Sequence, residues 1–147
     1  MDWQREGLTI STDPARIDRA LVHAFLSASY WASGIPREIV DRSIENALCF
    51  GVYEENRQVG FARVISDLAT FAYLADVFVL PSHRGRGLAK WLMEAILAHP
   101  KLQGLRRWML VTRDAHGLYR QVGFTELAHP ERLMEMVRSE IYSNPRS

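Results

Sequence analysis

The stretch "VFVLPSHRGRGLAKWLM", Val77 to Met93, changes character twice in seventeen positions. An apolar run stops at Pro81, Arg84-Gly85-Arg86-Gly87 follows, and an apolar helical pattern begins at once with Leu88. The first amides of a helix have no partner inside it, and the helix dipole adds partial positive charge there. Glycines at 85 and 87 let ligand oxygens approach the backbone without a Cβ in the way. The two arginines add permanent charge and forked donors suited to phosphate. Together these features describe an anion site at a helix N-terminus. Two better-known phosphate loops do not fit: no lysine stands in the P-loop register, and Lys90 occupies the place of the third glycine of a dinucleotide fingerprint. Taken alone, the turn also reads as a Gly-containing strand-to-helix connection with solvated arginines.

Working outward, "LTIST" (8–12) predicts a first strand, with Asp13 as N-cap and Pro14 in the first helical position of the segment after it. Ile17, Leu21, Ala24, Phe25 and Ala28 recur at helical spacing. Residues 31–36 form a loop before a second helix, "REIVDRSIENAL". "CFGVYEE", "RQVGFARVISD" and "TFAYLADVFVL" are joined by short turns and predict an antiparallel meander. Leu88, Trp91, Leu92, Ala95 and Ile96 mark a third helix ended by Pro100. "RRWMLVT" is a further strand, "AHGLYRQV" a short helix ended by Gly123, and "FTEL" with "RLMEMV" a final hairpin. The order β-α-α-β-β-β-α-β-α-β-β predicts an α/β fold, a mixed sheet of about six to seven strands flanked by about four helices. Residues 72–112 should form a right-handed parallel crossover.

A chain of 147 residues is most simply one domain, 1–147. Its net charge of +1 gives no global field for nucleic acid or membrane, and neither is expected as a partner. Cys49 is alone, which excludes an intrachain disulfide and points to a reducing compartment. Within "ALCFGVY" it reads as a small buried hydrophobe rather than a nucleophile. The five histidines show no paired metal spacing, so no metal site is expected. The start "MDWQREGLTI" has no apolar signal region, and no run approaches the roughly 20 apolar residues of a spanning helix. The expectation is a soluble, cytoplasmic protein.

Arg84-Gly85-Arg86-Gly87-Leu88-Ala89 resembles the Arg/Gln-x-x-Gly-x-Gly/Ala acetyl-CoA signature of the GNAT superfamily of N-acetyltransferases, and "LVTRDAHGLYRQVGFTEL" is similar to that family's C-terminal motif, with Tyr119 ahead of Gly123-Phe124. The resemblance implies a GNAT-type acyl-CoA N-acyltransferase fold with acetyl-CoA as acyl donor. It implies that the amides of Arg84, Gly85, Arg86, Gly87, Leu88 and Ala89 cradle the pyrophosphate. It further implies that Val77, Phe78 and Val79 pair with the pantetheine arm like an added strand. Tyr119 would meet the sulfur as proton donor, since a phenol of reference pKa about 10 can protonate a developing thiolate. A backbone N–H near Val79 could polarise the thioester carbonyl. A homodimer is also a family-based expectation.

Most alkyl amines arrive protonated, so a proton acceptor is needed. Asp76, inside the apolar "YLADVFVL", is one candidate; a carboxylate enclosed there is costly unless hydrogen-bonded or paired, and it reads equally as a structural residue at a sheet irregularity. Arg63 could pair with Asp76 or hold a substrate carboxylate, or simply lie on an exposed face. Tyr30 and Trp31, beside Gly34 and Pro36, occupy a connection that commonly flanks the acceptor pocket in the family, although aromatic residues pack into cores as readily. Asp114 stands either at the cleft or as a cap of the helix that follows. The expected activity is acetyl-CoA-dependent acetylation of a primary amine on a small molecule. The alternatives are a protein or peptide acetyltransferase of the same fold and a non-catalytic acyl-CoA sensor.

Overall fold

The computed structural model describes residues 1–142. Six strands form one sheet in sequence order: β1 (Asp2–Arg5), β2 (Leu8–Ser11), β3 (Leu48–Glu54), β4 (Arg57–Ser66), β5 (Phe71–Val79) and β6 (Arg107–Leu110). The first five are antiparallel, and β6 runs parallel to β5. The helices are α1 (Arg19–Ser27), α2 (Arg37–Glu45), α3 (Leu88–Ala98) and α4 (His116–Gln121). The mixed α/β architecture with four helices agrees with the sequence-based expectation.

Alternation along the strands separates two cores. Val22 and Leu26 of α1 and Val40 and Ile44 of α2 bury against Cys49, Phe61 and Phe78 on one face, where Phe25 stacks on Phe78 with ring centres 3.9 Å apart. On the other face Leu92, Met93 and Ile96 of α3 pack against Phe50, Val52, Val64, Ala72 and Leu74. Ala72 and Leu74 of β5 therefore point to the α3 core, while Phe78, of the same parity, points to the α1–α2 core. One extra residue has been inserted between them. The register shows it: Phe61 faces Phe78 and Arg63 faces Ala75, so Ala62 alone stands opposite Asp76 and Val77. Asp76 takes φ 55°, a left-handed conformation in mid-strand, as the bulged position of such a pair does.

Three elements differ from expectation. β1 pairs with β2 through a tight Glu6-Gly7 turn, both residues at positive φ; its mostly exposed "DWQR" carries no hydrophobic signal. The first long helix starts later than Pro14. Residues 14–16 form a single 3₁₀ turn capped by Asp13, and Asp18 then caps α1 by accepting the Leu21 N–H at 3.0 Å. The Asp18 N–H is meanwhile held by Gln58 Oε1 at 2.7 Å, which breaks the helical run. The final hairpin is absent: 124–127 and 132–137 contain no strand, and most of these residues are exposed.

Candidate active site

β5 and β6 stay paired only as far as Leu74 opposite Leu110. Beyond that point β5 continues to Val79 with β4 on one side and no strand among the described residues on the other. The Leu80 N–H donates to the Val59 carbonyl on β4 at 2.8 Å. Backbone polar groups alternate along a strand, so Val79 and Val77 present theirs on the open side. The Val79 carbonyl accepts there from Arg84 Nε at 3.1 Å, which leaves the Val79 N–H aimed at the same space.

This open edge leads into the arginine-glycine turn. Gly85 has φ 79° and Gly87 φ 73°, and a Cβ built on either would meet nothing within 4 Å. Glycine is thus required by the backbone, not by crowding, and the space beside it is free for a ligand. Gly87 is the N-cap of α3 without a side-chain capping bond. The first intrahelical bond runs from the Trp91 N–H to the Gly87 carbonyl, so the three preceding amides lack an intrahelical partner. Beneath the loop, buried His83 accepts or donates at Ser82 Oγ (2.7 Å) and Glu54 Oε1 (3.3 Å), and Arg86 lies 3.8 Å from Glu54 Oε2. Glu54 ties the turn to the end of β3. His83 and Glu54 were not legible as site residues, because only tertiary approach joins them.

Tyr119 sits on α4 with its ring edge against Phe124, and it is buried. Burial pushes its phenol above the ordinary tyrosine value, and the nearby Tyr30 phenol adds to this. Tyr30, on the α1–α2 connection, is thus a neighbour of the α4 phenol. Asp76 is tied to the α1–α2 connection: Oδ2 accepts from Arg63 Nε and Oδ1 from Trp31 Nε1, both at 2.9 Å. The Arg63 and Asp76 side chains are only 17% and 10% exposed. Trp31 meets Tyr30 edge-on, and the Arg113 guanidinium lies 3.8 Å from the centre of the Tyr30 ring. The loop after β6 thus reaches across the split to the α1–α2 connection. Arg113 is a site residue that sequence reasoning missed; its place directly after the strand was the available signal. Asp114 does not cap α4. The Ala115 N–H takes Thr112 Oγ1 at 3.0 Å instead, and Asp114 is 72% exposed.

Among the described residues no group of three His, Cys, Asp or Glu could hold a metal ion. The buried Cys49 thiol donates toward the Ile44 carbonyl, and burial pushes its pKa up to about 12, which leaves it inert as a nucleophile. No described helix is long and apolar enough to cross a membrane.

The arrangement has counterparts in known proteins. A family model described as an acetyltransferase (GNAT) domain matches residues 45–126, from the end of α2 to the segment after α4. A crystal structure from Xanthomonas campestris pv. campestris, assigned to the GNAT acetyltransferases, is 54% identical and superposes with a TM-score of 0.92 over 96% of this chain and 100% of that one. A protein of Gibberella zeae named as an acetyltransferase is 34% identical over 141 residues, 80% of this chain and 78% of that one. An acetyltransferase structure from Clostridium acetobutylicum that contains acetyl-CoA shares the fold, with a TM-score of 0.66 at 15% identity over 88% of this chain and 96% of that one.

Proposed function

The chain belongs to the GNAT family of acetyltransferases and is an N-acetyltransferase, and we propose that it acetylates the primary amine of a small molecule with acetyl-CoA as donor. One observation carries this reading: an unpaired strand edge at Val77–Val79 runs directly into two positive-φ glycines at the start of α3. The residues fit the donor. The amides of Arg84 to Ala89, with the free space beside Gly85 and Gly87, suit a pyrophosphate, and the β5 edge suits an amide-bearing arm. When bound, acetyl-CoA supplies an acetyl group activated as a thioester.

The chain's own residues supply the rest. The Val79 N–H, fixed in the strand, donates to the carbonyl oxygen as negative charge builds there. Tyr119, kept protonated by its burial, gives its proton to the departing sulfur and regains one from solvent. Asp76 is already charge-paired with Arg63, so we assign it to holding the incoming ammonium through its remaining lone pairs. The amine sheds one proton to water before its nitrogen bonds to the acetyl carbon. As the carbon–sulfur bond breaks, the nitrogen gives its second proton to water, which balances the proton Tyr119 passes to the sulfur and regains from solvent. Tyr30, Trp31 and Arg113 form the wall beside it, an aromatic surface with one guanidinium, suited to an amine carrying apolar or aromatic carbon.

A panel of amines, amino acids and short peptides, scored by release of free thiol from acetyl-CoA, tests the proposal. Turnover with small amines supports it. Turnover confined to peptides would transfer the activity to protein acceptors, and tight binding without any thiol release would mark a sensor.

A further inference from the structure

Arginine holds a carboxylate most strongly through two parallel N–H bonds from one guanidinium. Arg63 does not hold Asp76 that way. It gives only Nε, 2.9 Å from Oδ2, and the other oxygen goes to Trp31 Nε1 instead. A guanidinium has five N–H donors, and all but the Nε one sit on Nη1 and Nη2. No acceptor among the described residues meets these on Arg63. Nor are they sealed in the core. Among the described residues, Tyr53 Oη is the only fully buried side-chain nitrogen or oxygen without a partner, so the Arg63 fork touches solvent-accessible space.

The place of this fork in the fold gives it a use. Arg63 stands opposite Cys49, which packs in the α1–α2 core, so its side chain lies on that side of the sheet. Asp76 follows the last β5–β6 pair, Leu74 with Leu110, and directly precedes the open edge at Val77–Val79. The ion pair therefore stands where the strands part. An ammonium resting on Asp76 alone would sit beside a guanidinium of the same sign, with the Arg63 fork still lacking an acceptor. A carboxylate on the same ligand removes both faults. In an α-amino acid the nitrogen and the carboxyl carbon are about 2.5 Å apart, two bonds through one carbon. Arg63 Nε and Asp76 Oδ2 set a cation and an anion side by side at a similar spacing, 2.9 Å. A ligand zwitterion laid antiparallel to this pair meets an opposite charge at each end.

We propose that the acceptor is an α-amino acid with an apolar or aromatic side chain, its carboxylate docked on the Nη1–Nη2 fork of Arg63 and its ammonium on Asp76. The inference rests on the reading of this chain as an acetyltransferase of small amines and narrows it. Trp31 donates to the same carboxylate, so the aromatic wall of Trp31 and Tyr30 begins where the ammonium is held. A side chain on the α-carbon lies along that wall. Acetylation removes the ammonium charge, which leaves the product only the Arg63 contact and favours its release.

Thiol release from acetyl-CoA by the full chain tests this with phenylalanine and leucine, their carboxamides, and the amines left by their decarboxylation. The carboxamide is the stringent control. Without a carboxylate beside it, its amine loses a proton more easily, so a site blind to the carboxylate favours the amide. In the better of the two series the acid should nonetheless exceed amide and amine in kcat/KM by at least about tenfold, chiefly through KM. A smaller ratio overturns the inference and leaves small-amine acetylation standing; no thiol release with any small amine overturns both. Arg63→Lys keeps a cation beside Asp76 but loses the fork. It should lower kcat/KM for the acid at least about tenfold more than for the amide. An arginine that only supported Asp76 would lower both by the same factor, and that result refutes the clamp. The wild-type series needs no variant to fold and decides on its own.

Discussion

Removing the Arg63 guanidinium, as in Arg63→Met, should unfold this protein at a markedly lower temperature, because the structure leaves Asp76 nowhere to put its charge. The carboxylate is 10% exposed and fixed at a left-handed strand position. Its two oxygens are held by Arg63 and Trp31 at 2.9 Å each. Breaking a buried pair by removing one partner costs about 3–5 kcal/mol. The Trp31 bond survives, so the low end applies, about 3 kcal/mol. In a chain near 150 residues each kcal/mol moves Tm by about 2–4 °C, giving a drop of about 6–12 °C. The double variant Arg63→Met/Asp76→Asn no longer buries an unpaired charge, and asparagine tolerates positive φ, so it should recover at least about 1 kcal/mol relative to the single variant. Thermal and urea unfolding followed by circular dichroism at pH 7 read both quantities. A loss below about 1 kcal/mol in Arg63→Met, or a double variant less stable than the single, would refute the reasoning.

Tyr119→Phe should lower kcat by about a hundredfold or more while acetyl-CoA affinity, measured by calorimetry, changes little; an unchanged kcat removes Tyr119 from the mechanism. The raised phenol pKa also sets the wild-type basic limb above the ordinary tyrosine value of about 10, since the rate needs the protonated form, and the limb should vanish in the phenylalanine variant. Asp76→Asn should raise KM for the amine and leave the acidic limb of kcat/KM in place, because the amine loses its proton to water; a lost limb would make Asp76 the base. Stability should fall with rising pH from about 8.5 upward, where the unfolded chain gives up Cys and Tyr protons that the fold retains. Cys49 and Tyr53 are both pushed to about 12 by burial, and Tyr119 is also raised, so this stability is complete below the unfolded values and is lost as pH climbs toward the folded ones. Cys49→Ala should flatten the slope of Tm against pH between about 8.5 and 10; an identical slope contradicts the burial argument.

What the sequence disclosed was local. The strand–turn–helix at 77–93 is legible because Pro81, the two glycines and the helical spacing from Leu88 are all short-range signals. The bulge at Asp76, which decides which way Val77 and Val79 face, shows only as one carboxylate inside an apolar run, readable equally as a base or as a sheet irregularity, and the structure finds the irregularity. β5 is covered on both faces and its apolar run has no period to interrupt, so the hydrophobic pattern alone does not decide between the two. The candidate residues Tyr30, Trp31, Arg63, Asp76 and Tyr119 do converge, but their order of contact depends on the α1–α2 connection reaching across the split to Arg113. No spacing in the chain encodes that approach. "RLMEMV" has the composition of a strand and lacks a partner among the described residues, which is why pattern alone misplaced it in a hairpin.

Titration calorimetry of acetyl-CoA into wild-type protein and into Gly87→Glu tests the central claim most directly, that the start of α3 is an anion socket. The variant puts bulk and negative charge into the space beside a residue at φ 73°, with a backbone strain of about 1–2 kcal/mol that leaves the fold intact by thermal melt. The account predicts stoichiometric binding by the wild type and no measurable heat from the variant. Equal binding by both would place the cofactor elsewhere and contradict the account.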